Sequence, residues 1–173
     1  PPVHGGIRGG AEIRNPKSGA GSGEGGRLSL TMIVKNEEAR LGRCLESVQG
    51  LVDEVIVVDT GSGDGTVEVA RRYGAKVHYF EWCEDFSAAR NESIRHATGD
   101  WIMWLDADDV FPKENFPRVR RAMGMGKGHA FYFRLQDEGY DATTCLQLRL
   151  FPNLPGVRFE MPVHEQVSLS LGR

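Results

Sequence analysis

Residues 101–105, Trp-Ile-Met-Trp-Leu, form a short unbroken apolar run that leads straight into three aspartates, Asp106, Asp108 and Asp109. Such a run, without polar alternation, suits a strand covered on both faces, as in a parallel sheet flanked by helices. Gly99 ahead of it and the acidic cluster behind it leave too little length for a buried helix. In open α/β sheets ligands bind at the carboxyl ends of the strands, so these carboxylates stand where chemistry is done. Three charges this close repel one another, and their pKa values should rise unless a cation sits among them. Hard oxygen ligands beside an open crevice suit Mg²⁺ or Mn²⁺ shared with a phosphate-bearing substrate. Taken alone, Asp-Ala-Asp also fits a solvated loop after a core strand.

The chain upstream supplies the rest of such a sheet. Residues 28–34 are β-rich and largely apolar. Leu41, Cys44, Leu45 and Val48 then recur on one helical face. Asn36 is the expected N-cap of that helix, and Glu37 and Glu38 suit the positive end of its dipole. Residues 54–58 make a second strand ending at Asp59. A loop with alternating glycines follows, and Asp64 is placed to cap a helix bearing Val67, Ala70 and Tyr73. A third strand is expected over 75–80. The next helix carries Phe86, Ala89, Ile94 and Ala97 and is capped by Asp85 or Ser87. This β-α-β-α-β order predicts an at least partly parallel sheet. Beyond the aspartates, Pro112 sits where a helix can begin, with Phe116, Val119 and Met123 on one face. Residues 130–135 read as a strand. Residues 146–151 alternate as a half-exposed strand suited to antiparallel pairing. Residues 157–158 and 163–165 read as short extended pieces.

Composition narrows the function classes. The 173 residues carry a net charge of −3, so no bulk basicity points to nucleic acid or an anionic membrane. Cys44, Cys83 and Cys145 are odd in number and widely spaced, which fits neither a zinc pattern nor a disulfide framework and favours a reducing, cytoplasmic compartment. No apolar run approaches the roughly 20 residues of a membrane span; peripheral association with a membrane stays open. Residues 1–26 hold nine of the 22 glycines and three of the eight prolines. That segment is expected to be a disordered tail outside the fold, leaving residues 27–173 as one domain. Gly61 to Gly65 lacks the Gly-x-Gly-x-x-Gly spacing, which argues against a nicotinamide oxidoreductase.

Four stretches in this order, residues 31–38, 59–66, 86–91 and 99–109, resemble the family 2 glycosyltransferases with the GT-A fold. The later residues 149–153, 155–160 and 163–166 resemble the bacterial branch of that family often fused to helical repeats. The resemblance covers about residues 28–168. It implies a three-layer, Rossmann-like α/β domain with a mainly parallel sheet and late antiparallel strands. Members of the family usually run further than residue 173.

The resemblance also assigns roles. Val34, Asn36, Glu37 and Asp59 occupy the positions that hold base and ribose. Carboxylates at strand ends can accept from a base N–H or ribose hydroxyls. Arg90 and Asn91 border the nucleotide, where a guanidinium can approach the diphosphate or brace the carboxylates. Asp106 maps to the ribose-contacting acid of the Asp-x-Asp motif and Asp108 to the metal ligand, with Ala107 between them; Asp106 is also a candidate ligand. His164 resembles the histidine that completes the metal site and suits Mn²⁺ better than Mg²⁺. Glu165 either orients His164 or deprotonates the acceptor, and Asp109 is a further catalytic candidate. Asp137, Glu138 and Asp141 compete for the role of base. Trp82 can stack on a sugar or base.

The activity implied is metal-dependent, inverting transfer of a sugar from a nucleotide sugar, a UDP-sugar by default, to a hydroxyl on a glycan, lipid-linked or protein acceptor. Two rivals stand beside it. One is an inactive domain of the same fold that only binds nucleotide or glycan. The other is a nucleotidyltransferase, disfavoured because Lys35-Asn36-Glu37-Glu38 replaces the glycine-rich basic loop expected after the first strand.

Overall fold

The computed structural model describes residues 7–8, 25–136 and 144–167. The elements, in order, are β1 (Ile7–Arg8), β2 (Leu28–Val34), α1 (Glu38–Ser47), β3 (Glu54–Asp59), α2 (Thr66–Arg72), β4 (Lys76–Tyr79), α3 (Phe86–His96), β5 (Trp101–Trp104), β6 (Asp109–Val110), a 3₁₀ turn (Lys113–Asn115), α4 (Phe116–Met123), β7 (Phe131–Gln136) and β8 (Thr144–Pro152). The tail expected over 1–26 falls mostly outside the described residues; Ile7–Arg8 pairs in parallel with Asp109–Val110. Asp137, Glu138, Asp141 and residues 168–173 also lie outside them.

The main sheet runs β4-β3-β2-β5-β8-β7. The first four strands are parallel, and β8 pairs antiparallel with both β5 and β7. Side chains alternate across it, as a strand period of two requires. Trp101, Met103 and Leu105 join one core, with Leu30, Met32, Leu41, Leu45, Val69 and Val119. Ile102 and Trp104 join a second core, with Leu148, Phe151, Phe159 and, partly buried, Ile94. The strand Trp101–Trp104 is buried throughout, as its unbroken apolar run predicts. These are the three layers, mainly parallel sheet and late antiparallel strands of the expected α/β fold. Among the described residues no helix is long and apolar enough to cross a membrane.

Four local expectations need correction. Asn36 does not cap α1: it has φ 55°, and its Oδ1 accepts from Gly63 N at 2.8 Å, tying the first loop to the second. The buried face of α2 is Thr66, Val69 and Ala70, with Val67 only half-buried; Asp64 does accept from Thr66 N at its start. Residues 157–158 belong to no regular element and 163–164 are bends, with an isolated antiparallel bridge between Glu160 and Gln166. Residues 146–151 do not make a regular half-exposed strand. β8 is an interior strand, and Phe131 pairs with Leu150 while Tyr132 pairs with Leu148. Arg149 is therefore the extra residue of a β-bulge, which throws Leu148 and Leu150 into opposite cores.

Candidate active site

The carboxyl ends of β2, β3 and β5 lie side by side, with Val34 paired to Asp59 and Thr31 to Trp104. Two cavities open at this edge. The smaller, about 230 Å³, is lined by Val34, Glu37, Thr60, Trp82, Ala107 and Asp108. The larger, about 580 Å³, is lined by Trp104, Gln147, Phe159, His164, Glu165 and others. Phe86, Arg90 and Asp106 border both.

Asp106 is the centre of a charge network whose arginines, Arg90 and Arg149, are buried. Its Oδ1 accepts from Arg90 at 2.9 Å and its Oδ2 from Arg149 at 3.1 Å. Arg90 also donates from Nε to Glu165 Oε1 at 2.6 Å. Arg149, 1% exposed, pairs with Asp109 Oδ2 at 3.0 Å. Both guanidiniums lie against Trp104, at 4.0 and 3.7 Å from its ring centroid, where the ring's negative face adds attraction. Trp104 is fixed in turn by Nε1 donating to Leu148 O at 2.7 Å.

Two arginines of the chain thus place positive charge beside Asp106 and Asp109. Burial alone would raise the Asp106 carboxyl, but Arg90 and Arg149 together outweigh it and hold it at about 2. Asp109 goes the other way. Burial, reinforced by the nearby Asp106 charge, prevails over Arg149 and raises it to about 6. Asp109 Oδ2 also accepts from Asp106 N at 2.8 Å, closing the turn. Asp109 lines neither cavity.

The other expected residues divide. Val34, Glu37 and Ala107 face the smaller cavity, and Trp82 stands at its rim, edge-on to Phe86 with centroids 4.8 Å apart. Glu37 pairs with Arg40 at 3.1 Å. Asn36 serves the loop brace described above. Asp59 is buried and lines neither cavity; its Oδ1 accepts from Gly61 N and Ser62 N, each at 3.1 Å. Its Oδ2 is buried without a hydrogen-bond partner. Asn91 clamps the Phe159 backbone, donating to its oxygen at 2.9 Å and accepting from its nitrogen at 2.7 Å. That clamp, with Phe86 N donating to Pro162 O at 2.9 Å, ties the loop carrying His164 and Glu165 to the start of α3. Glu165 pairs with Arg90 rather than orienting His164, which is exposed with φ 58°.

The expected metal trio is not gathered. Asp108 and His164 line different cavities, Asp106 spends both oxygens on arginines, and no group of three metal-ligating side chains converges among the described residues. The donor set nevertheless fits one kind of ion. Asp108 is a half-buried carboxylate at the cavity, with no partner among the described residues. One carboxylate suits Mg²⁺ or Mn²⁺ completed by substrate phosphates and water.

Two residues at the site carry more than the sequence assigned them. Arg149 sits in an alternating stretch that by itself places it on the exposed face; the bulge buries it. Phe86 marks a helix face in the sequence and stands where the two cavities meet.

The family described as Glycosyl transferase family 2 matches residues 29–159. A TPR repeat-containing protein from Synechococcus elongatus is 44% identical over 146 residues, covering 84% of this chain and 36% of that protein. The SPbeta prophage-derived glycosyltransferase SunS of Bacillus subtilis is 38% identical over 96 residues, covering 54% of this chain and 23% of SunS. The chain thus spans little more than a third, or less, of the length of these relatives. Among solved structures, glucosyl-3-phosphoglycerate synthase from Mycobacterium tuberculosis, in complex with Mn²⁺, UDP and glucosyl-3-phosphoglycerate, superposes with a TM-score of 0.51 at 25% identity, covering 61% of this chain and 42% of that one.

Proposed function

The chain belongs to glycosyl transferase family 2, and on that premise we propose that it transfers a sugar from a UDP-sugar to a hydroxyl acceptor with inversion at the anomeric carbon. The observation that carries this reading is the meeting of two cavities at Phe86, Arg90 and Asp106. The smaller takes the nucleoside diphosphate and the larger the acceptor, so the anomeric carbon lies at their junction. UDP in the synthase complex supports the choice of nucleotide.

The residues then act as follows. Val34, Glu37 and Thr60 wall the nucleoside, and Asp59, at the end of β3 behind Thr60, fixes the loop that follows by accepting from Gly61 N and Ser62 N. Asp108 would hold Mn²⁺ or Mg²⁺, which when bound would neutralise charge on the leaving diphosphate. Glu165 is the acceptor's base. Its Oε1 is fixed by Arg90, and its other oxygen is left to take the hydroxyl proton. The acceptor oxygen forms the new bond to the anomeric carbon. The bond to the diphosphate breaks with its electron pair leaving on UDP. The free thiols Cys83 and Cys145, both exposed, suit a reducing, cytoplasmic setting.

Thermal denaturation with UDP, GDP, CDP and dTDP, with and without Mn²⁺, tests the donor site. At 100 times its Kd a ligand adds about 2.7 kcal/mol, roughly 5–10 °C for a chain of this size. UDP should stabilise most, in a Mn²⁺-dependent manner that Asp108→Asn abolishes. No stabilisation by any nucleotide would refute the reading. Inversion is read from the anomeric configuration of the product by NMR.

A further inference from the structure

We propose that the acceptor is a neutral hydroxyl compound carrying an apolar body, such as an aryl or alkyl glycoside, and not a phosphorylated acceptor or a bare polar sugar. This rests on the reading above that the larger cavity receives the acceptor.

Two observations carry it. The first is the rim. Seven large hydrophobic side chains are exposed among the described residues, and four of them, Phe86, Tyr132, Leu146 and Val163, line this one cavity. They are 40–57% exposed. Two come from neighbouring strands β7 and β8, one from the start of α3 and one from the loop beside His164, so separate parts of the chain converge on one apolar mouth. Apolar side chains left in water around a concavity mark a surface that apolar matter covers.

The second observation is charge. Apart from the imidazole of His164, the ionisable side chains among the described lining residues are Arg90, Asp106 and Glu165, and these pair with one another at the floor. Among the described residues no lysine and no second arginine lines the cavity to receive a phosphate. An anionic acceptor would lose its hydration and find the one guanidinium among the described lining residues, Arg90, already paired with Asp106 and Glu165. The cavity continues into the donor cavity at Phe86, Arg90 and Asp106, so an apolar body at the mouth leaves its attached hydroxyl near Glu165.

The test uses the 173-residue chain with UDP and Mn²⁺ present. Phenyl and octyl glycosides of several hexoses are titrated beside the matching free hexoses and hexose phosphates, and binding is followed by ligand-observed NMR. UDP affinity is measured in the same samples. The glycosides should bind at least about tenfold more tightly than their free or phosphorylated counterparts. Leu146→Asp or Val163→Asp, at exposed positions that do not endanger folding, should erase that margin. Equal or weaker binding of the glycosides, or none, overturns the inference while UDP binding keeps the donor reading standing. Failure of UDP itself to bind overturns the donor reading, and the acceptor assignment with it.

Discussion

Arg149 Nη2 lies 3.1 Å from Asp106 Oδ2, joining the bulge of β8 to the first carboxylate after β5. Without the bulge the strand's alternation would not deliver Arg149 to this point while sending Leu148 and Leu150 to opposite cores. Arg149 is buried and also holds Asp109, so its removal leaves two carboxylates without their shared cation. Arg149→Met should cost about 3–5 kcal/mol of stability, the usual penalty for breaking a buried ion pair from one side. Urea unfolding measures it. A loss under 1 kcal/mol would mean that the network contributes little to the fold.

A second brace sits at the opposite end of the sheet. Glu54 Oε1 accepts from Ser29 Oγ at 2.6 Å, from Thr98 N and Oγ1, and from Gly99 N, while Oε2 pairs with Lys76 at 2.9 Å. Burial alone would raise its pKa; these hydrogen bonds from Ser29, Lys76 and Thr98 overcome that and hold it at about 2, against an ordinary 4.5. A carboxyl depressed on folding stabilises fully above its unfolded pKa, and that stability is lost as pH falls through the folded value. Between about pH 5 and 2 the wild type should therefore lose about 3 kcal/mol through this group. Glu54→Gln should flatten that part of the pH dependence in urea titrations. An unchanged slope would refute the assignment.

Gly99 fixes the same corner. A Cβ there would stand 2.5 Å from Ser29 Oγ, 2.8 Å from Arg27 O and 2.9 Å from Ser29 N. Two of these are backbone atoms and cannot swing away. Gly99→Ala should lower stability by about 1–3 kcal/mol, several degrees in melting temperature. A melting temperature equal to that of the wild type would show that β2 can shift at no cost.

The sequence carried the frame of the molecule well, because its strongest signals are local. The apolar run into Asp106, the helical face of Leu41, Cys44 and Leu45, and the cap at Asp85, which accepts from Ala88 N at 3.0 Å, all depend on near neighbours. What escaped it was long-range. Asn36 looks like a cap until its partner, Gly63, is known. Leu146, Leu148 and Leu150 look like one face until the pairing with β7 reveals the bulge. Arg149 and Asp106 are 43 residues apart in the chain, and no spacing rule joins them. The same holds for Arg90 and Glu165, 75 residues apart.

That last pair gives a test of the chemistry. Glu165 carries one oxygen held by Arg90 and lies at the acceptor cavity rather than the nucleotide cavity. If it takes the acceptor proton, Glu165→Gln should keep its hydrogen bond to Arg90, through the amide oxygen, and retain UDP affinity within a few-fold. Turnover should fall by roughly 10²–10⁴. A purely structural role would show the opposite pattern, with turnover preserved by the isosteric amide. The pH–rate profile separates the cases further: its acidic limb, which reports the base in the free enzyme, should vanish in the variant. An acidic limb that persists in Glu165→Gln would pass the role of base to another carboxylate.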